Sequence, residues 1–420
     1  MWHRLHWVRF VVYVGLAVLI YHLVSAFLTP VANVHPARPS PADVAPSKHR
    51  DFHFDYPWYR QPHPRPPNLT HYSTGELSRT ERARLHKHAV NTARQKALEV
   101  FYEVEGIPGS QKRTALQAAA FRKRVDCWHK GTWVRGKQQV IRKHFQDPTF
   151  GVCTKKQKQD GTDYIWKPSS AECPLAPTVD TAAWCNVLRG RHILVIGDLV
   201  QYQLHDLFLD ALRDGPTVCF GELNCKDHTI CAEPEDTRMR YLRNDVLSTA
   251  RRIDRAQGHP SGSKVEWPFV TSNVLNAYPI LILNRAPVLE SDEAFTDGLI
   301  ETLRTIRRVQ PQTLIIYRST PIGHPYCDDA TQPIQDLTDE QRQRLPYGWS
   351  ELSRRNAMAR EIIEAAGGLY VDLAALTDLR PDGHVGGQDC LRYCIPGPAD
   401  AWVQIMYHVF LGLEDASSIM

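Results

Sequence analysis

The chain has 420 residues, with 50 Lys+Arg against 46 Asp+Glu and a formal charge of +4. That balance argues against a nucleic-acid binder built on a basic face. With 43% apolar and 23% charged residues, wholesale disorder and a multi-span transporter are also excluded, and at roughly 150 residues per domain the length suggests two or three units.

Residues 10–28, FVVYVGLAVLIYHLVSAFL, contain no Asp, Glu, Lys or Arg. About 20 apolar residues span a hydrocarbon core as a helix. Arg4 and Arg9 precede the run, and apart from histidine no charged side chain follows until Arg38. Lys and Arg favour the cytosolic side, so residues 1–9 are expected there and the rest in the lumen. A cleaved signal peptide is the rival, but its apolar region is usually shorter and Ser25-Ala26-Phe27 is a poor cleavage site.

Residues 29–75 carry Pro30, Pro36, Pro39, Pro41, Pro46, Pro57, Pro62, Pro64, Pro66 and Pro67. Proline at this density makes a stiff stem that holds the body away from the bilayer. Asn68-Leu69-Thr70 within it is the one N-glycosylation acceptor. Residues 76–124 are rich in Ala, Arg, Lys, Glu and Leu and are broken at Gly106 to Gly109. Two helices are expected there, standing in the stem or packed on the body.

The body is expected over 125–415. A short apolar run from Arg191 ends at Gly197-Asp198, and Leu204, Leu207, Phe208, Ala211 and Leu212 then share one helical face. Further strands are expected at 279–284, 313–318 and 369–373, with helices at 292–309 and 350–366. Alternation of this kind predicts an α/β fold, a parallel sheet with helices on both faces. Sites in such sheets form at the carboxyl ends of strands, here Gly197-Asp198-Leu199, Asn284-Arg285 and Ser319-Thr320-Pro321.

All ten cysteines lie after residue 126: Cys127, Cys153, Cys173, Cys185, Cys219, Cys225, Cys231, Cys327, Cys390 and Cys394. An even number behind a membrane segment points to disulfides in an oxidising compartment. Zinc is the alternative, but no CxxC…CxxC frame is present. No metal and no bound cofactor is expected. Cys219, Cys225 and Cys231 read as a stapled loop.

The ordered motifs carry a resemblance. They are Cys127-Trp128, Gly131-Thr132-Trp133, the run from Asp163 to Pro168, Cys173, Gly197-Asp198, Asn284, the run from Arg318 to His324, Asp382-Gly383-His384, the run from Gln388 to Gly397, Asp400 and Trp402. Together they resemble the PC-esterase superfamily of SGNH-like proteins, over roughly residues 125–415. That group includes trichome-birefringence-like and Cas1-type polysaccharide O-acetyltransferases. The resemblance implies a three-layer SGNH-like fold, a carbohydrate substrate or ligand, no nucleic acid, and a Golgi or other secretory-pathway membrane with a lumenal domain.

Two positions depart from the family pattern. Its Gly-Asp-Ser nucleophile motif reads Gly197-Asp198-Leu199 here, and its Asp-x-x-His base motif reads Asp389 to Arg392. A Ser–His relay needs a hydroxyl to attack and an imidazole to take its proton. Leu199 has no lone pair, and arginine, with a pKa above about 12, accepts no proton near neutrality. Asp198, Asn284 and Asp389 are the retained candidates. Asn284 reads as an oxyanion donor or a strand cap, and Arg392 as a partner of Asp389 or Asp198. His324 and His384 match family histidines outside the catalytic pair and are the alternative bases. His205 is expected to face solvent or pack on the sheet, and Trp267, Trp349 and Trp402 are candidate sugar-stacking rings. The motif reading requires Asp198, Asn284, Asp389 and Arg392 to converge. It leaves three functions open: O-acetyl transfer or acetylester cleavage by a non-standard route with an unspecified acetyl donor, a non-catalytic protein that binds a glycan or a catalytic partner, or a structural secretory-pathway protein with no ligand in the cleft.

Overall fold

The computed structural model describes residues 77–137, 163–213 and 227–415, except 233, 235, 250–251, 255–263, 289, 325–326, 337–348 and 387–388. The apolar segment 10–28, the stem, Asn68, Cys153, Cys219 and Cys225 lie outside those residues. Among the described residues no helix is long and apolar enough to cross a membrane.

Helix α1 (Arg79–Val100) starts at a capping box, Ser78 with Glu81, which satisfies two N–H groups at the open helix end. It buries Ala89, Ala93 and Ala97. These recur every four residues, so a face of small side chains is presented. Helix α2 (Ala115–His129) has its own capping box, Thr114 with Gln117, and buries Phe121, Val125 and Trp128. It runs past residue 124, and its Cys127 is bonded to Cys173. Both helices pack into the body's two cores rather than standing apart from it. Next come an antiparallel pair, β1 (Gly131–Arg135) and β2 (Tyr164–Pro168), and helix α3 (Thr181–Leu188).

The central sheet has six strands. In chain order these are β3 (Ile193–Gly197), β4 (His228–Cys231), β5 (Thr237–Arg243), β8 (Ile280–Leu283), β9 (Leu314–Arg318) and β10 (Leu369–Val371), with a small antiparallel pair, β6 (Arg252–Asp254) and β7 (Lys264–Glu266), inserted before β8. The spatial order is β10-β9-β8-β3-β5-β4, parallel except for β4, which runs antiparallel to β5 at one edge. Central parallel strands are covered on both faces and therefore read as unbroken apolar runs. Ile193–Gly197, Ile280–Leu283 and Leu314–Arg318 are buried throughout.

Alternate side chains enter different cores. Ile193, Val195, Ile280, Ile282, Leu314 and Ile316 face the layer of α2, α3, α4 (Leu199–Leu212) and α9 (Asp400–Leu413), while Leu194, Ile196, Leu281, Leu283 and Ile315 face α1, α6 (Asp292–Val309) and α7 (Leu352–Ala365). Three other elements complete the chain's use here: α5 (Ser272–Ala277), α8 (Ala374–Thr377), and a hairpin of β11 (His384–Gly386) and β12 (Asp389–Tyr393). The architecture is α/β in three layers, as expected. The strands at 228–231 and 237–243 went unread because polar residues interrupt them (Thr229, Arg238, Arg240), which breaks the apolar run.

The disulfides clamp the periphery. Cys185 is joined to Cys231 and Cys327 to Cys390, and Cys394 is also oxidised. Cys231 therefore staples its strand to α3, which corrects the expectation of a bond within its own loop.

Gly197 ends β3 at a crowded point. A Cβ there would lie 2.8 Å from the Gln201 Cβ and 3.0 Å from the Asn284 Cβ. Both neighbours are fully buried, so neither can give way. Gly197→Ala is expected to lower the unfolding free energy by about 1–3 kcal/mol, seen as a lower urea midpoint at unchanged slope.

Candidate functional site

The site is built from the carboxyl ends of β3, β8 and β9 and from the β11–β12 hairpin. Asp198, immediately after β3, is the N-cap of α4. Its Oδ1 accepts from the N–H groups of Val200 at 3.0 Å and Gln201 at 2.9 Å. An anionic cap also suits the positive end of a helix. Leu199 is the first residue of that helix and is half-buried.

Arg318, at the end of β9, is fully buried. Its Nε donates to Gln201 Oε1 at 2.7 Å, its Nη1 to the Ser319 carbonyl at 2.9 Å, and its Nη2 lies 3.6 Å from Asp198 Oδ1. The Trp402 ring stands 5.1 Å from its guanidinium carbon. Burial lowers the Arg318 pKa, while the Asp198 carboxylate pulls it back up. Arginine's ordinary value is so high that the group stays charged.

Asn284 hangs between the two strands. Its Nδ2 donates to Thr320 Oγ1 at 3.0 Å and to the Arg318 carbonyl at 3.3 Å, and its Oδ1 is buried without a partner. Both amide hydrogens are thus engaged in holding strand ends together, as the strand-cap reading of Asn284 describes.

The second cluster is on β12. Asp389 Oδ1 accepts from the N–H groups of Leu391 at 3.1 Å and Arg392 at 2.9 Å, and its Oδ2 accepts from Arg392 Nε. The side chains are 20% and 24% exposed, so this pair borders solvent instead of filling a closed relay space. Arg392 takes Asp389 as partner, while Asp198 is served by Arg318. His384 and His324 face each other at 2.6 Å and otherwise face the backbone carbonyls of Arg392 and Asp378.

The four motif residues do not meet in one hydrogen-bonded group, which corrects the expectation of direct convergence. They form two clusters joined by Gln203, whose side chain donates to the Tyr393 carbonyl and accepts from the Tyr393 N–H at 3.1 Å. Leu199 lies four residues before Gln203, on the same face of α4. The position where the family pattern has serine is therefore aimed along the face that docks on the strand carrying Arg392. At the two motif positions where the sequence departs from the resembled pattern stand an isobutyl group, Leu199, and a guanidinium, Arg392.

Other expectations are corrected by burial. Trp349 and Trp402 are core residues, 1% and 0% exposed, because neighbouring layers close over them; neither offers a face to a sugar. Trp267 is half-buried. Of the two placements expected for His205, packing on the sheet is the one found: it is fully buried against Tyr202 and against Tyr241 of β5, and burial pushes it down to about 3, so it carries no charge near neutrality. Among the described residues no group of three or more His, Cys, Asp or Glu side chains is placed to hold a metal ion.

Sequence reasoning missed Gln201, Gln203 and Asp245. Asp245 follows β5 and accepts from Arg243 Nε at 3.0 Å and the Val265 N–H at 2.6 Å; burial pushes it up to about 7, and the nearby Asp198 adds to that rise. The signal available was a pair of glutamines in the first turns of a helix whose apolar residues alone would have filled a core. Arg318 stood in a quoted motif, but a charge at the end of a buried strand was the clue that it anchors the site.

Residues 286–409 match the PC-Esterase family, described as a GDSL/SGNH-like acyl-esterase family found in Pmr5 and Cas1p. The match covers Arg318, His324, His384, Asp389 and Arg392 and begins after Asn284. The chain is similar to protein trichome birefringence-like 1 of Arabidopsis thaliana, 21% identical over 384 residues, 71% of this chain and 64% of that protein. It is 20% identical to protein trichome birefringence of the same plant over 385 residues, 71% of this chain and 60% of the relative. It is 22% identical to xyloglucan O-acetyltransferase 1 over 334 residues, 66% of this chain and 78% of the relative. The chain thus spans slightly under two thirds of the first two relatives' length.

Removing the Arg318 guanidinium leaves Asp198 and Gln201 buried without their partner. Arg318→Met is expected to cost about 3–5 kcal/mol, measured by denaturant unfolding, against under about 1 kcal/mol for the exposed Arg304→Met.

Proposed function

Taking as premise that the chain carries a PC-esterase segment of the GDSL/SGNH-like kind, we propose that it is a carbohydrate-binding member that holds a glycan at the former acyl-transfer site without a serine acyl-enzyme. The observation that carries this reading is the pairing of Leu199 at the head of α4 with an Asp389-bound Arg392 on the strand that α4 docks against. Neither Leu199 nor Arg392 can serve as the nucleophile or base that the family pattern has at those two positions.

Substitute groups are otherwise occupied. Asp198 spends its Oδ1 on two backbone N–H groups of the helix it caps, and the Arg318 guanidinium lies beside that same oxygen. His324 and His384 are turned toward each other and the backbone. What remains at the edge suits binding: the half-buried Leu199 offers apolar contact, and the partly exposed Arg392 offers hydrogen-bond donors to sugar oxygens.

The setting we propose is a secretory-pathway membrane, the Golgi above all, with residues 10–28 as a single span and the PC-esterase body in the lumen. Three described disulfides suit an oxidising compartment. Where acetyl transfer accompanies this protein, the group would come from a catalytic partner protein. The relative named as a xyloglucan O-acetyltransferase makes neutral and O-acetylated polysaccharides the ligands to try first.

The test uses the full chain with a small acetyl ester and a panel of such polysaccharides. Calorimetric binding of a polysaccharide with no acetyl adduct in the intact mass is the expected result. A covalent acetyl adduct mapped to any side chain would overturn the non-catalytic reading and name the replacement nucleophile. Absence of binding across the panel would refute the glycan ligand.

A further inference from the structure

Behind the site, two histidines from distant segments form a continuous chain. His324, after β9, places Nε2 at 2.9 Å from the Asp378 carbonyl oxygen, and its Nδ1 lies 2.6 Å from His384 Nε2. His384 Nδ1 lies 3.1 Å from the Arg392 carbonyl oxygen. The two rings are 4% and 0% exposed by residue, and His384 stacks on Tyr393 with centroids 4.4 Å apart.

Counting protons gives the consequence. A neutral imidazole carries one N–H and one bare nitrogen. Both ends of the chain meet carbonyl oxygens, which only accept, so Nε2 of His324 and Nδ1 of His384 must each hold a proton. Two neutral rings then have none left for the middle contact, and two lone pairs would face each other at 2.6 Å. A third proton turns every contact into a donated bond. We propose that His324 and His384 share one proton, forming a buried imidazole–imidazolium cation that ties the Asp378 loop to the Arg392 carbonyl and so fixes the Asp389–Arg392 turn according to pH.

The surroundings bear on this cation from each packed element. After α8, Asp378 gives its carbonyl to His324 while its Oδ1 accepts from the Ile322 N–H. Asp382 is held by Arg380 and pulls the His324 pKa up. On β12 stand the Asp389–Arg392 pair and Tyr393, whose phenol burial pushes out of the titrating range. Opposing these, burial pushes His324 down to about 4. The 2.6 Å separation decides between the two, since bare nitrogens do not approach so closely and a proton between them removes the repulsion while spreading its charge over both rings. On this proposal the shared proton is held more tightly than burial alone would allow, and its charge opposes uptake of a second.

Free imidazoles titrate near about 6.5. A first proton held above that value stabilises the fold at and below about pH 6.5 and is lost as pH rises through the folded value. Below about pH 6.5 stability falls again, because both unfolded rings charge while the folded pair takes one proton. This device is independent of what the site binds.

The test is thermal unfolding of the full chain from pH 5 to 8, wild type against His324→Gln and His384→Gln. Between pH 6.5 and 8 the wild type is expected to lose melting temperature relative to either variant, by about 1–3 °C for the release of one proton. Parallel curves above pH 6.5 would overturn the proposal. Should the variants fail to fold, ring nitrogen-15 resonances of the wild type decide: three protonated nitrogens in the pair at pH 6.5 support it, and two neutral rings refute it.

Discussion

The buried guanidinium of Arg318 is the constraint on which the site edge depends. It reaches Asp198 and Gln201 at the head of α4 and donates to the following Ser319 carbonyl, while its own carbonyl accepts from Asn284. One charged group thus sets the spacing of β3, β8 and β9 at their carboxyl ends. A buried cation without a partner would be costly, so the carboxylate of Asp198 and the cation of Arg318 require each other. This explains why the aspartate of the first motif persists without a serine beside it: its work here is to cap a helix and answer an arginine, and neither task involves a nucleophile.

The same division between frame and chemistry recurs at the other motif. Asp389 caps the turn of β12 and holds Arg392, while Cys327–Cys390 binds that strand to the loop after His324. Gln203 then couples the two motifs through the Tyr393 backbone. Every one of these contacts is structural, and none of them needs a hydroxyl at position 199 or an imidazole at position 392.

Much of this was legible in the sequence. The apolar runs at 193–197, 280–283 and 314–318 announced a buried parallel sheet, and the motif order placed Asp198 and Asn284 at strand ends. Two things were not legible. The strands at 228–231 and 237–243 carry polar residues that break the pattern. The roles of Gln201, Gln203, His324 and His384 depend on which distant backbone atom each meets, and the spacing of residues in one chain holds no record of that. Asn284 shows the difference: its place at a strand end was readable, but whether its amide points to a ligand or to Thr320 was not.

The central claim is our proposal that positions 199 and 392 share one site edge, with neither side chain able to act as nucleophile or base. The most direct measurement is the intact mass of the full-length double variant Leu199→Ser/Arg392→His after exposure to an acetyl ester. The account predicts a covalent acetyl group on residue 199. A folded double variant that stays unmodified would show that the frame no longer brings the two positions together and would contradict the account.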